Sequence, residues 1–114
     1  EFGPTGMAVK TIDGHYIRVN KVFCEILGYT NEEITGQHYG KFTHPDDMYK
    51  EIETAELLLT SKAPYLQMEK RYIAKTGETI EAIVQVSLEK DSNGFPLYYF
   101  SQIIDITQRK KAEL

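Results

Sequence analysis

Only one of the 114 residues is a cysteine, so no internal disulfide can staple the chain, and Cys24 reads as a small apolar side chain in a reducing compartment. Tryptophan is absent, and the longest purely aliphatic run, Leu57 to Leu59, is far too short to cross a bilayer. Basic excess is missing too. With 13 Lys and Arg against 17 Asp and Glu, the net charge of -4 offers nothing to a phosphate backbone or an anionic lipid surface. Nucleic-acid binding and membrane contact are set aside on that ground, and a cytoplasmic setting is expected. No basic n-region or apolar h-region of a signal peptide is present, and a chain running from Glu1 to a basic, helix-like end at Leu114 reads as a piece of a longer protein. What remains is an ordinary globular balance, 41% hydrophobic and 26% charged, with length for a single core.

The elements can be read from periodicity and caps. Met7 to Asn20 holds two short strand-like runs around Asp13-Gly14, a dipeptide suited to a reversal, with Met7, Val9, Ile17 and Val19 expected on the apolar face. Asn20 suits a helix N-cap ahead of the stripe Val22, Phe23, Ile26 and Leu27, and Gly28 stops that helix. Thr30 to Glu33 spells a capping box. His44-Pro45-Asp46-Asp47 begins a longer helix, to about Thr60, with Met48, Ile52, Ala55 and Leu59 assigned inward and Glu51, Glu53 and Glu56 outward. After Pro64 the period changes to two. Strands are predicted over 65–74, 79–88 and 97–106, with turns at Lys75-Thr76-Gly77 and Asp91-Ser92-Asn93-Gly94. Two strands, several short helices and three strands make an α+β fold, an antiparallel five-stranded sheet with helices over one face and room for a small interior pocket.

The order and spacing of Gly6-Met7-Ala8-Val9, Asp13-Gly14, Val19-Asn20 with Phe23, Leu27-Gly28-Tyr29, Glu33 to Gly36, His44-Pro45-Asp46-Asp47, Lys75-Thr76-Gly77 and Asp105-Ile106-Thr107 resemble those of a PAS domain, the sensory module of bacterial signalling proteins. The resemblance covers nearly the whole chain. It implies strand order 2-1-5-4-3, a sensor domain over 1–107 and the start of an output helix over 108–114, with Asp105, Ile106 and Thr107 as the junction. It also implies a C-terminal effector in the same chain, a histidine kinase, diguanylate cyclase or phosphodiesterase. Relatives bind haem, flavin, small metabolites or nothing, and the cofactor here stays unknown. A histidine-ligated haem is disfavoured because 46–60 contains no histidine, and Met48 reads as core rather than ligand. Flavin is disfavoured as well. Cys24 lies in the wrong helix for a photoadduct, and Tyr72, Ala82 and Ile103 stand where the light-sensing branch has its flavin-binding amides.

His15, His38 and His44 show no metal-ligand spacing and are read as cap and loop residues. By strand parity, Ala82, Val84, Tyr99, Ser101 and Ile103 should face the pocket, with Asp105 sharing their parity, while Phe23, Leu27, Tyr39, Phe42, Met48, Ile52 and Tyr72 line its helical side. Most of these also suit a plain core. Tyr72, Tyr99 and Ser101 are the informative members, since inward hydroxyls need partners. Apart from Asp105, nearly every acid is placed at a cap, a turn or an outer face, which argues against catalysis, including that of an isomerase-like cone built on Tyr39, Tyr72 and Tyr99. The opposite sheet face collects Ile83, Tyr98, Phe100 and Ile104 with Gln85 and Gln102, and calls for a cover, either an N-terminal helix or a second subunit in a homodimer. The expected function is a non-catalytic sensor of a small molecule, redox state or dimer geometry. A ligand-free dimerisation module is the alternative.

Overall fold

The computed structural model describes residues 4–113. Residues 1–3 of the expected domain and Leu114 of the expected linker helix lie outside that range. Strands β1 (Thr5–Lys10), β2 (Tyr16–Val19), β3 (Leu66–Ile73), β4 (Thr79–Lys90) and β5 (Pro96–Asp105) form one five-stranded sheet in the order β2-β1-β5-β4-β3. Every pairing is antiparallel. Between β2 and β3 run α1 (Lys21–Leu27), α2 (Asn31–Ile34), two 3-10 turns and α3 (Met48–Thr60), and α4 (Thr107–Ala112) follows β5. The fold is α+β. Among the described residues no helix is long and apolar enough to cross a membrane.

The helix ends follow their cap chemistry. Asn20 Oδ1 accepts from Phe23 N at 2.9 Å, Gly28 closes α1 at φ 79°, and Thr30 and Glu33 form both halves of a capping box. His44 Nδ1 accepts from Asp46 N at 3.1 Å and His38 Nδ1 from Gly40 N at 3.0 Å, so both imidazoles cap turns. Phe23 and Leu27 are thereby turned onto the sheet. There they pack with Phe42, Ile34 and Tyr72, with Ala82, Val84 and Val86 of β4, and with Tyr99 and Ile103 of β5. Ring pairs Tyr16–Phe23 (5.6 Å), Phe23–Tyr72 (5.9 Å) and Tyr29–Phe42 (5.0 Å) make that end of the interior a solid aromatic core.

Three faces differ from the sequence expectation, those of β1, β2 and α3. In β1 the inward residues are Ala8 and Lys10, while Met7 is exposed. In β2 Tyr16 and Val19 are buried and Ile17 is exposed, because Val9 pairs with Arg18 but Lys10 with Tyr16. Ile17 is thus the extra residue of a bulge, and an extra residue throws parity off by one. Helix α3 is rotated from the phase predicted for it. Glu51, Thr54 and Leu58 face inward, and Ile52, expected in the pocket, is 47% exposed and Leu59 42%. Inward charge is the reason: Glu51 has two partners beneath it.

Candidate functional site

Lys10 ends β1, Glu51 sits in the first turn of α3, and Lys70 occupies β3 between Met68 and Tyr72 on the inward side. The three meet in the interior. Lys10 Nζ donates to Glu51 Oε2 at 3.0 Å, and Lys70 Nζ donates to Glu51 Oε1. Their side chains are 6%, 5% and 0% exposed in the order Lys10, Glu51, Lys70. Aromatic faces take part of the remaining charge, with Lys10 Nζ 4.7 Å from the Tyr39 ring centre and Lys70 Nζ 4.3 Å from that of Tyr72.

The charges set each other's protonation. Burial pushes the Glu51 carboxyl up, but Lys70 and Lys10 override it and hold it at about 2. Burial pushes the Lys70 ammonium down to about 8, with Glu51 opposing and Lys10 reinforcing the shift. At neutral pH the cluster is therefore two cations around one anion. Next to it, Asp47 Oδ2 accepts from Arg71 N (2.8 Å) and Nε (3.1 Å), and Oδ1 accepts from Arg71 Nη2 (2.8 Å). Those bonds to Arg71 hold the Asp47 carboxyl at about 2 against the cost of burial.

A cavity of about 110 Å³ opens beside the cluster, walled by Lys10, Ile12, Asp13, Gly14, His38, Tyr39, Glu51, Thr54, Ala55, Val86 and Tyr99. Backbone pairing builds its near wall. Tyr39 N donates to Gly14 O at 3.0 Å, and Gly14 takes φ 92° within 2.7 Å, measured from a hypothetical Cβ, of the Tyr39 ring. Tyr99 Oη donates to Ala55 O at 3.1 Å and closes the far side. At the rim, Asp13 accepts from Thr11 Oγ1, with His15 Nδ1 3.3 Å away.

Of the twelve residues expected to line a pocket, Tyr39 and Tyr99 line this cavity. Phe23, Leu27, Phe42, Tyr72, Ala82, Val84 and Ile103 are core residues packed against one another. Met48 is half-buried at the start of α3, and Ile52 is on the outside. Ser101 is buried, and among the described residues its Oγ is the buried side-chain polar atom left without a partner. Asp105, expected to share the inward parity, is exposed and accepts from Thr107 N (2.9 Å) and Thr107 Oγ1 (2.6 Å). Thr107 is the first residue of α4, and its Oγ1 also accepts from Glu81 N at 3.0 Å. Ile106 is buried, and its N–H donates to Glu81 O at 2.9 Å. Lys110 Nζ then reaches Glu69 Oε1 on β3 at 2.9 Å. On the other sheet face, Ile83 pairs with Ile104 and Val9 with Phe100, and these and Tyr98 are half-buried.

Sequence reasoning missed Lys10, Glu51, Thr54 and Lys70. A signal for Lys70 was available, since Leu66, Met68, Lys70 and Tyr72 alternate strictly with Gln67, Glu69 and Arg71. The expectation of no acid near the pocket is corrected by Glu51, which faces it.

A sheet in this order, roofed on one face by short helices and delivering its last strand to a further helix, defines the architecture of a PAS domain. The family model described as PAS fold matches residues 16–101, and the chain belongs to that family. It is 35% identical over 113 residues to the probable diguanylate cyclase DgcE of Escherichia coli (strain K12), a match covering 99% of this chain and 10% of that protein. It is 26% identical, again over 113 residues, to the sensor histidine kinase TmoS of Ectopseudomonas mendocina, covering 99% of this chain and 12% of that one. The chain thus spans about a tenth of these relatives' length. Among solved structures, the PAS domain of a Colwellia psychrerythraea protein superposes with TM-score 0.83 at 19% identity, covering 91% of this chain and 87% of that one. The Drosophila melanogaster Cycle PAS-B domain with bound ethylene glycol superposes with TM-score 0.79 at 13% identity, covering 88% and 98%.

Proposed function

We propose that this PAS domain is a non-catalytic sensory relay, reading the state of the cavity beside Glu51 and passing it through β3 and β5 to α4, and so to an effector of the diguanylate cyclase or histidine kinase kind. One observation carries the reading. Consecutive residues of β3 serve the two ends of the path: Lys70 donates to Glu51 at the cavity, while Glu69 holds Lys110 of α4 at 2.9 Å. A change that moves Lys70 therefore acts on a strand that touches the output helix through the Glu69–Lys110 ion pair and borders β4, whose Glu81 holds the start of that helix. The non-catalytic assignment is supported by protonation, because a carboxylate held at about 2 by two ammonium groups is a weak base at neutral pH. The names of the E. coli and Ectopseudomonas relatives support the effector class.

Hydrogen exchange across α4 tests the relay. Lys70→Met leaves Lys10 and Glu51 as a one-to-one pair, and a coupled α4 should change its amide exchange by roughly 5-fold or more, the usual range for coupling between sites. Unaltered exchange in 107–112 would refute the path. In that event the second reading, a ligand-free dimerisation module, takes its place. It is favoured by the solid aromatic core at the Phe23–Tyr72 end, and it would seat a second copy on Ile83, Tyr98, Phe100 and Ile104.

A further inference from the structure

The buried cluster is out of charge balance. Lys10 and Lys70 bring two positive charges and Glu51 one negative, all with side chains no more than 6% exposed. The neighbouring acids do not cancel the excess. Asp47 favours the charged form of Lys70 through space, but its carboxylate is bonded by Arg71, with Lys50 Nζ a further 3.9 Å contact, so it is itself outnumbered by cations. Asp13 at the rim is 77% exposed, so its charge is screened by water. A buried unpaired cation is expensive to maintain, and an anion placed beside it removes that penalty.

The cavity is the place for that anion, since Lys10 and Glu51 both line it. An ammonium has three N–H donors, and Glu51 takes one of Lys10's at 3.0 Å. Away from the charges the wall is mixed, with Ile12, Ala55 and Val86 supplying an apolar part suited to a short hydrocarbon tail beside Thr54, His38 and the two tyrosines. Size narrows the class. A cavity of roughly 150 Å³ holds the six carbons of benzene, so about 110 Å³ holds on the order of four or five non-hydrogen atoms. We infer that the cavity is a receptor site for a small monocarboxylate of two or three carbons, its carboxylate on Lys10 and its tail against Ala55 and Val86. The inference rests on the sensory reading above and names the ligand chemistry that reading leaves open. Lys70 keeps its proton at neutral pH despite burial, with a pKa of about 8, which preserves the positive excess.

The test titrates the 114-residue chain with sodium acetate and sodium propionate, followed by backbone amide NMR shifts. Acetamide and propanamide serve as neutral isosteres, and sodium chloride as the salt control. Saturable shifts at Thr54 and Tyr99 are expected with the carboxylates, and binding about tenfold weaker with the amides, the usual worth of a charged hydrogen bond. Lys10→Met should weaken acetate binding by a similar factor, and Lys10→Arg should retain it. If Lys10→Met does not fold, the Lys10 side-chain ammonium resonance of the unsubstituted chain decides: a shift on saturation with acetate supports the site, and none overturns it. Equal binding of amides and carboxylates overturns the anion assignment while leaving a small-molecule pocket standing, and shifts that only track chloride are a salt effect that overturns the receptor site. No saturable shift from any probe, combined with unaltered α4 exchange in Lys70→Met, overturns both.

Discussion

Glu51 carries the sharpest consequence of the buried cluster. Glu51→Gln leaves two ammonium groups with no carboxylate in a site where their side chains are 6% and 0% exposed. Breaking a buried pair in this way costs about 3–5 kcal/mol, a large share of the roughly 5–15 kcal/mol that holds a domain of this size. With a urea slope of about 1–3 kcal/mol per molar, the unfolding midpoint should fall by on the order of 2 M. Replacing Lys10, Glu51 and Lys70 together by methionine should behave oppositely, leaving stability unchanged or raising it by about 1–4 kcal/mol, because desolvation of all three charges is relieved at once. Far-UV circular dichroism in urea measures both variants. The pH dependence sharpens the comparison. Glu51 is held at about 2 against its ordinary 4.5, so its contribution is complete above pH 4.5 and disappears as pH falls through 2. Lys70, lowered from 10.5 to about 8, burdens the fold below pH 8, and that burden lifts as pH rises toward 10.5. The triple variant should lose both limbs. If it instead loses as much stability as Glu51→Gln, the cluster is a stabilising element, and the case for its being kept for the cavity collapses.

Two further outcomes follow from the walls of the site. Asp47→Asn removes a carboxylate held at about 2 rather than 3.8 by Arg71; at about 1.4 kcal/mol per pKa unit this is roughly 2 kcal/mol at pH 7, before some loss to solvent at the Arg71 end. Because the folded pKa is the lower one, the difference in urea midpoint between variant and parent should be full above pH 3.8 and close as pH approaches 2, and a gap constant across that range would refute the ionic account. Gly14→Ala puts a Cβ 2.7 Å from the Tyr39 ring at φ 92°, so thermal unfolding should show a loss of about 1–3 kcal/mol; a neutral result would mean that Tyr39 is not fixed against Gly14.

The architecture was legible because its signals are local. Ile80, Ala82, Val84 and Val86 alternate cleanly with Glu81, Ile83 and Gln85, and Asn20, Gly28 and the Thr30–Glu33 pair announce helix ends by chemistry that needs no knowledge of the rest of the chain. Faces were read correctly where polarity and burial agree, as in β4 and in β5 as far as Ile103, Asp105 beyond it being exposed. They were misread where polarity goes inward. A face assigned by apolar content puts Met7 and Ile17 inside and Lys10 outside, and the bulge at Ile17 is invisible to a strict period of two. The same rule turns α3 so that Ile52 faces in and Glu51 out, since a lone glutamate is almost never buried without partners, and its partners lie 41 and 19 residues away in sequence. These separate misreadings concern Lys10 and Glu51, two residues that touch each other and wall one cavity. Phe23, Leu27, Phe42 and Tyr72, whose inward direction was read correctly, fill the solid remainder. The departures at Met7, Ile17 and Asp105 lie elsewhere, whereas those at Lys10 and Glu51 converge on one cavity and mark where the fold accepts a local cost, the place to which the proposed ligand site is assigned.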